Sequence, residues 1–518
     1  MLKLARKIAQ NVAMVYQPKN YESALKQLNT AINKVTIVRP VNLVEFHAER
    51  CKSIRSSLLA LDIKDSDIND LHVIHVTGSK GKGSTCATVE AVLRNLGYRT
   101  GMLSSPHLIN VEERIRINGR PISQEYFAQL FWDVHSSINR LDDSSMHTFL
   151  HYILVMACKA FVAEKVDAAI FEVGIGGRYD HTNFLEKPAL SVVTHLDLEH
   201  TDMLGNTLEK IAWMKAGIFK SGSPALVSTD QTEGTLRVFT EQACAIGCPL
   251  YITPRLEELS FAGNLFPSCT GIAPPGIRAV RSAQLCQSLC AVHLWLKRYS
   301  GHESDSTGLQ PPLRYSVGRE QLQIALAVRW PGRWQVVRRD HVTYFIDGAH
   351  TDCSIQNTAE WFQSESGRLM STSAARVLIF TVLGNRDPKP MLEHLQRIVK
   401  PRFDLVLFAN PHEGDWTVLP NKESMDAKCL TVWNELVSTS DHLSHKSSIP
   451  AYRTPNVSQF VDWIQRVSYF SSSVFAMYPH INSAAMSGIT TTMNDCHVLV
   501  TGSLYLAGAM LKALDEQI

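Results

Sequence analysis

The stretch Leu71-His72-Val73-Ile74-His75-Val76-Thr77-Gly78-Ser79-Lys80-Gly81-Lys82-Gly83-Ser84-Thr85 decides how this chain reads. Its first six residues have the apolar weight of a buried strand. A helix-period segment follows the glycines and runs to Leu96, where Gly97 closes it. A glycine-rich turn between strand and helix lets several backbone N–H groups face one point. The positive end of the helix adds to that field, so the turn is a polyphosphate cradle. Gly78, Gly81 and Gly83 give the turn its freedom, and Lys80 and Lys82 give it charge. Lys82 is predicted to reach the β/γ phosphates, and Ser84 to place its hydroxyl on Mg²⁺. The usual pattern ends Gly-Lys-Ser/Thr, whereas here Gly83 separates Lys82 from Ser84. A flexible surface turn is the plainer alternative, and the strand–loop–helix order speaks against it.

Outward from the loop, strand and helix patterns alternate. Val73–Thr77, Thr100–Leu103, Ala168–Val173, Leu190–Thr194 and Pro224–Ser228 read as strands. This is the signature of a mostly parallel sheet with helices on both faces. Residues 20–70 read as helices, with Leu25, Leu28 and Ile32, then Leu58, Leu59 and Leu61, on apolar faces. A helix over Val280–Lys297 is followed by a stretch rich in Gly, Pro and Ser, from Gly301 to Pro312, which reads as a linker. A second α/β unit begins near Trp330. Its predicted strands are Thr343–Ile346, Arg376–Val382, Leu405–Ala409 and Val498–Thr501. The expected division is 1–300, a linker region 301–329, and 330–518 with a polar insertion at about 411–495. Ser471-Ser472-Ser473 and Thr490-Thr491-Thr492 mark that insertion as surface. No internal repeat is visible.

Length and charge set bounds. A chain of 518 residues suggests roughly two to four domains. Hydrophobic residues make up 45%, enough for a large core. A net charge of +2 gives no support for a nucleic-acid partner. The 11 cysteines are scattered, and none forms a Cys-x-x-Cys pair. Cys244 with Cys248, and Cys286 with Cys290, have the spacing of metal ligands. The second pair lies on an apolar helical stretch and reads as core thiols, which points to a reducing compartment. No apolar run is long enough to span a membrane. The first residues carry Lys3, Arg6 and Lys7, and no acid precedes Glu22. That is similar to a short mitochondrial presequence, although serine is missing. An ordinary amphipathic first helix fits as well, and Met14 offers a second start. Cytosol and mitochondrial matrix both stay open.

Five further segments fall where strands end, which is where open α/β sheets bind ligands. The first is Ser104-Ser105-Pro106-His107-Leu108, followed by Glu113-Arg114-Ile115-Arg116-Ile117-Asn118-Gly119. The second is Glu172-Val173-Gly174-Ile175-Gly176-Gly177-Arg178. The third is Asp197-Leu198-Glu199-His200-Thr201-Asp202-Met203-Leu204-Gly205, and the fourth is Glu209-Lys210-Ile211-Ala212-Trp213-Met214-Lys215-Ala216-Gly217-Ile218. The fifth is Trp330-Pro331-Gly332-Arg333, leading into Asp347-Gly348-Ala349-His350-Thr351. Singly, each has a bland reading. Glu172 could be a satisfied carboxylate at a strand end, and His200 a surface turn residue. There is no Gly-x-Ser-x-Gly elbow and no Cys/His catalytic arrangement.

Taken in order, these segments and the closing Val500-Thr501-Gly502-Ser503-Leu504 resemble the folylpolyglutamate synthases, eukaryotic type, of the ATP-dependent Mur ligase family. The likeness runs from about Tyr21 to Leu511. It implies an α/β chain with a P-loop-type N-terminal sheet and a smaller, Rossmann-like C-terminal domain. It also implies a reaction. ATP phosphorylates a carboxylate of a folate's glutamate tail, and the amine of L-glutamate attacks the acyl phosphate. Tetrahydrofolate and its polyglutamates, L-glutamate and ATP are the expected partners, with the chain a monomer. Phosphoryl transfer of this kind needs metal and cationic clamps more than a covalent nucleophile.

Carried over by position, Ser84, Ser105, Glu172 and His200 resemble Mg²⁺-site residues, with K⁺ admitted beside it. The resemblance places ATP on Gly78, Lys80, Gly81, Lys82, Gly83, Ser84, Thr85, Gln284, Arg333 and Asp347. Lys215 matches the lysine the family carbamylates, against a helix-surface lysine as the alternative. Asp347 and His350 would close on the nucleotide and the acyl phosphate, which implies domain closure in turnover. Arg114 and Arg116 fall in the loop near the folate, with solvated charge as the alternative. Three positions depart from the pattern. Gln284 stands for the family's asparagine, Leu154 for a threonine, and Glu199 for an aspartate. Dihydrofolate synthase, a non-catalytic folate or nucleotide binder, and a P-loop kinase or GTPase are the competing readings. The last leaves Lys215 and Asp347–Thr351 without a role.

Overall fold

The computed structural model describes residues 19–32, 42–141, 147–261, 275–301, 307–313, 315–369, 374–384, 386–409, 425–440, 451–454, 457–467 and 495–516. The presequence-like start, most of the 411–495 insertion and part of the predicted linker lie outside them. The chain divides into two compact units. The first reaches His107, resumes at Val111 and again runs from Ser282 to Val328; the second takes Leu108–Asn110, a stretch ending at Arg281, and Arg329 onward.

The strands of the first unit are β1 Ile74–Thr77, β2 Thr100–Leu103, β3 Ile115–Ile117, β4 Arg120–Pro121, β5 Ala168–Glu172, β6 Leu190–Val193, β7 Ala225–Val227, β8 Pro249–Ile252, β9 Ser260–Phe261, β10 Gly308–Leu309 and β11 Ser316–Val317. Among the described residues, one sheet has the order β10-β8-β7-β6-β1-β5-β2-β3-β4, and β11 pairs with β9 separately. Pairing is parallel from β10 through β2, and antiparallel only at the edge where β3 and β4 turn. The five strands expected from the sequence are all present, each within a residue or two of its reading. The edge hairpin β3–β4 is too short and polar to leave a period in the sequence.

Central strands of a parallel sheet are covered on both faces and lose their polar alternation. All four residues of β1 are buried, as are all five of β5. One face carries a core built on Phe127, Phe131 and Phe161 from helices Gln124–Ile138 and Phe149–Ala163. Each such side chain contributes about 1.5–3 kcal/mol through burial. Farther across the same face, Ile211, Phe219 and Phe239 pack on Val193, Ala225 and Val227. Helix starts are set by side chains. Ser123, Thr148 and Thr207 each accept an N–H two or three residues on, satisfying donors the helix cannot.

The expected helices before the loop appear as Tyr21–Ile32, Leu43–Leu59 and Asp65–Asn69. Leu58 is buried but Leu59 is 60% exposed, because Leu59 ends its helix on the solvent side. The helix expected over Val280–Lys297 extends from Pro275 to Tyr299. Cys286 and Cys290 are core thiols, as is Cys248, whereas Cys244 is exposed. Among the described residues no cluster of His, Cys, Asp and Glu is arranged to hold a metal unaided. No described helix is long and apolar enough to cross a membrane.

The second unit has strands β12 Gln335–Arg339, β13 Val342–Ile346, β14 Ala375–Phe380, β15 Leu405–Ala409, β16 Ala451–Thr454 and β17 Cys496–Thr501. Their order is β12-β13-β17-β14-β15-β16, parallel except for the β12–β13 hairpin. Two cores cover its faces, one with Leu506, Met510 and Leu511, the other with Trp361, Phe362 and Trp433.

Candidate active site

In the first unit, the glycine-lysine loop, Ser105, Glu172 and His200 lie at or beyond the C-terminal ends of neighbouring strands β1, β2, β5 and β6. The loop leaves β1 at Thr77, whose hydroxyl donates to the Gly176 carbonyl at 2.5 Å. Gly78 has φ +146°, and a Cβ there would overlap the Thr194 hydroxyl. Gly81 has φ +85° and stands immediately before helix Lys82–Asn95. A side chain would strain both positions, which is why glycine occupies them. Ser79 and Lys80 donate their N–H groups to the His195 carbonyl, and Lys82 Nζ donates to the Gly78 carbonyl at 2.9 Å. Ser84 sits half-buried in the first turn of the helix. Thr85 beside it is fully buried.

Glu199 is the electrostatic hub. Lys80 Nζ lies 3.6 Å and Lys215 Nζ 3.7 Å from its carboxylate. Burial raises the Glu199 pKa, but Lys82, Lys80, Lys215 and His200 together outweigh it, so the group stays below its ordinary value and ionised. Lys215 is 1% exposed. Burial and the neighbouring Lys82 push its pKa down to about 7, against the pull of Glu199. A buried ammonium beside other cations sheds its proton readily. The departure at Glu199 is therefore structural in effect, since its carboxylate sits between two lysines.

Lys215 closes helix Leu208–Lys215, and that helix end is sewn to the loop after β5. Arg178 N donates to the Met214 carbonyl at 2.8 Å, and Asn183 Nδ2 donates to the carbonyls of Arg178 and Gly217. Asp180 shapes the same loop by accepting from Ile175 N and Thr182 N. Glu172 ends β5, is buried, and accepts the Ser105 N–H at 2.9 Å. That bond ties β2's exit to β5's. His200 stands exposed at φ +48° before the short helix Thr201–Leu204.

Hard oxygen donors from Ser84, Ser105 and Glu172, with one imidazole, fit a magnesium ion that completes its shell with water and phosphate. The half-buried Lys80 and Lys82 near Glu199 fit a polyphosphate. Neither fit needs a preformed protein cage.

In the second unit, Asp347 follows β13 and is buried. Its carboxylate accepts from Trp334 N, Ala349 N and Thr358 Oγ1, at 2.9, 2.9 and 3.0 Å. Burial raises its pKa, against Arg333 and these donors. Gly348 leaves no room for a side chain between Arg333 and Leu504. His350 Nδ1 lies 3.0 Å from the Gly348 carbonyl. Arg333, Asp347 and His350 thus form one group, and the closing Gly502-Ser503-Leu504 segment packs on it. Thr358 was not anticipated; a threonine in mid-helix gives no signal in sequence.

Arg114 and Arg116 are both buried. Arg114 Nε donates to His107 Nδ1 at 2.8 Å, and its guanidinium lies 5.1 Å from the Phe149 ring centroid. Arg116 bonds the Gly119 carbonyl and faces Glu113 and Glu90. Gln284 is half-buried on helix Pro275–Tyr299. Gln287, one turn on, was missed. It is buried, and its Nε2 donates to the Val193 carbonyl at 2.8 Å, next to the phosphate loop's support.

Comparison with known proteins agrees with this layout. A profile of the Mur ligase middle domain matches residues 76–237. The human protein named folylpolyglutamate synthase, mitochondrial, is 35% identical over 96% of this chain and 92% of its own length. Among solved structures, the Mycobacterium tuberculosis folylpolyglutamate synthase complexed with ADP superposes with a TM-score of 0.67 at 19% identity, covering 96% of this chain and 100% of that one. The bifunctional folylpolyglutamate synthase/dihydrofolate synthase from Yersinia pestis, complexed with AMPPNP and Mn ion, gives 0.61 at 21% identity, covering 96% and 98%. With a full-length relative at that identity, and the phosphate loop, buried lysine and strand-end carboxylate brought together in one unit, the chain belongs to the folylpolyglutamate synthase family.

Proposed function

We propose that this chain is an ATP-dependent ligase that adds L-glutamate to the γ-carboxylate of folates through an acyl phosphate. The observation that carries this is the group of Lys80, Lys82 and Lys215 around Glu199, at the strand ends where Gly78 and Gly81 open the loop. Half-buried Lys80 and Lys82 beside the buried Lys215 favour an anionic ligand at these strand ends.

Lys82, now resting on the Gly78 carbonyl, turns to the transferring phosphate when ATP enters. Lys80 and the loop amides hold the remaining phosphates. When bound, Mg²⁺ would supply neutralisation of the developing phosphoryl charge. Ser84, Ser105, Glu172 and His200 would hold it. Lys215, with a neutral fraction available near pH 7, has the free amine whose nitrogen adds to CO₂ and gives up one proton to solvent; the resulting carbamate supplies an anion beside Lys80 and Lys82. From the second unit, Arg333 binds phosphate, and Asp347 and His350 address the nucleotide and the acyl phosphate. Arg114 and Arg116 stand on the folate side. Gln284 serves adenine.

The relatives' names favour folates as substrate and, for the mammalian ones, a mitochondrial location; we take tetrahydrofolates as the folates and the matrix as the compartment, with the cytosol as a second. The chain is proposed to act as a monomer. The deciding test supplies ATP and glutamate with either tetrahydrofolate or dihydropteroate and follows chain length by mass. Tail extension of tetrahydrofolate is expected. Product from dihydropteroate alone would make the enzyme a dihydrofolate synthase.

A further inference from the structure

Two N–H groups of the phosphate loop, those of Ser79 and Lys80, share one acceptor. It is the His195 carbonyl, at 2.9 and 3.1 Å. The neighbouring Thr194 hydroxyl donates to the Lys80 carbonyl at 2.7 Å, and Ser79 Oγ donates to the Asp197 carbonyl at 3.0 Å. The loop's near rim is therefore laid along residues 194–197, the exit of β6, and it moves only if that exit moves.

The exit is itself fastened from the other side. His195 Nδ1 meets Asp230 Oδ2 at 2.6 Å, and Asp230 Oδ1 takes a short hydrogen bond from the Ser228 hydroxyl. Gln231 Nε2 donates to the Thr194 carbonyl at 3.2 Å. Asp230 and Gln231 follow β7, so the pair ties the exits of two adjacent strands together. The expected machinery uses neither His195 nor Asp230.

We infer that the His195–Asp230 pair is a positioning latch for the phosphate loop: it fixes the strand exit that grips Ser79 and Lys80, and its charge-assisted bond holds that exit in place when the nucleotide's phosphates bind. This rests on the ligase reading only in taking the loop's ligand as ATP. The charged groups facing the imidazole are Asp230, Asp197 and Lys80. Burial lowers the His195 pKa, but the two aspartates outweigh it and Lys80, and the group ends above its ordinary value. Deprotonation at higher pH removes the cation while leaving Nδ1 able to donate to Asp230.

The test uses the full-length enzyme with D230N and H195Q. Calorimetric titration with Mg·ADP is expected to show roughly three- to tenfold weaker binding in each variant, the scale of one charge-assisted contact. KM for ATP should rise by a similar factor, with kcat and KM for glutamate near wild type. Wild-type affinity for Mg·ADP should fall as pH rises through the His195 pKa. In D230N the fall should come at lower pH, and in H195Q it should be absent. Wild-type affinity and pH dependence in both variants would overturn the latch. So would equal losses of kcat and thermal stability with KM for ATP unmoved, which would make the pair structural only. If the wild type binds Mg·ADP but extends no folate, the ligase reading fails while the titration still decides the latch.

Discussion

Lys215 concentrates the chemistry of this site in one side chain. It is a buried amine that burial and Lys82 hold near a pKa of about 7, so its neutral fraction grows as pH rises through that value. If the amine must be neutral to take up CO₂, kcat at fixed dissolved CO₂ should rise through pH 7. K215A should lose most activity and recover part of it when a small carboxylic acid is supplied, with a flat profile across the same range. A variant that no carboxylic acid restores would end the carbamate assignment. Lys82→Ala, Glu172→Ala and His350→Ala should each lower kcat/KM by roughly 10²- to 10³-fold, the scale of losing one preorganised charge partner. Melting temperatures of Lys82→Ala and His350→Ala should stay near wild type, since neither side chain fills a core, whereas Glu172→Ala also removes the acceptor of the Ser105 N–H and should melt somewhat lower. Gly78→Ala differs in kind. Its Cβ would overlap the Thr194 hydroxyl at a φ of +146°, so both Mg·ADP affinity and stability should fall.

Between residue and fold stand the short elements that aim these groups. Helix Leu208–Lys215 is only 8 residues long, too short to persist without support. Thr207 caps its start through Lys210 N, and the loop after β5 holds its end through Arg178 and Asn183. Thr207→Ala should cost about 1 kcal/mol by chemical denaturation and lower kcat more than KM, because the helix carries Lys215 at its far end. The five central strands were legible in the sequence because burial on both faces makes them apolar runs, two of them closed by Gly78 and Gly174. The edge hairpin β3–β4 and the edge strand β10, two residues long, were not, since edge strands are short and half-solvated; nor was β8 beside β10, only four residues long. Gln287 and Thr358 were likewise silent. Each is a polar residue on a helix whose importance comes from a strand-end partner far away in sequence.

Across the whole molecule, several histidines are kept neutral by burial. His75, His107, His151 and His181 are pushed down to about 3, and His47 to about 4. The unfolded chain regains ordinary histidines of about 6.5. Between these values the unfolded state binds more protons than the folded one. Stability is therefore full above pH 6.5 and is lost as pH falls toward 4. Melting temperature should drop steeply over that interval. His151→Gln, which keeps a polar partner for Ser57, should flatten the slope by about one proton. An unchanged slope would show that His151 does not contribute.

The sequence alone determined the architecture, the phosphate loop and the order of the site segments. These depend on local period, on glycine's freedom of φ and on residues close together in the chain. Tertiary structure decided the rest: that Glu199 sits between Lys80 and Lys215, that burial makes Lys215 a weak base, and that His195 and Asp230 brace the loop. Charge coupling and desolvation depend on distance in space, and a parallel sheet brings together strand ends that lie tens of residues apart along the chain.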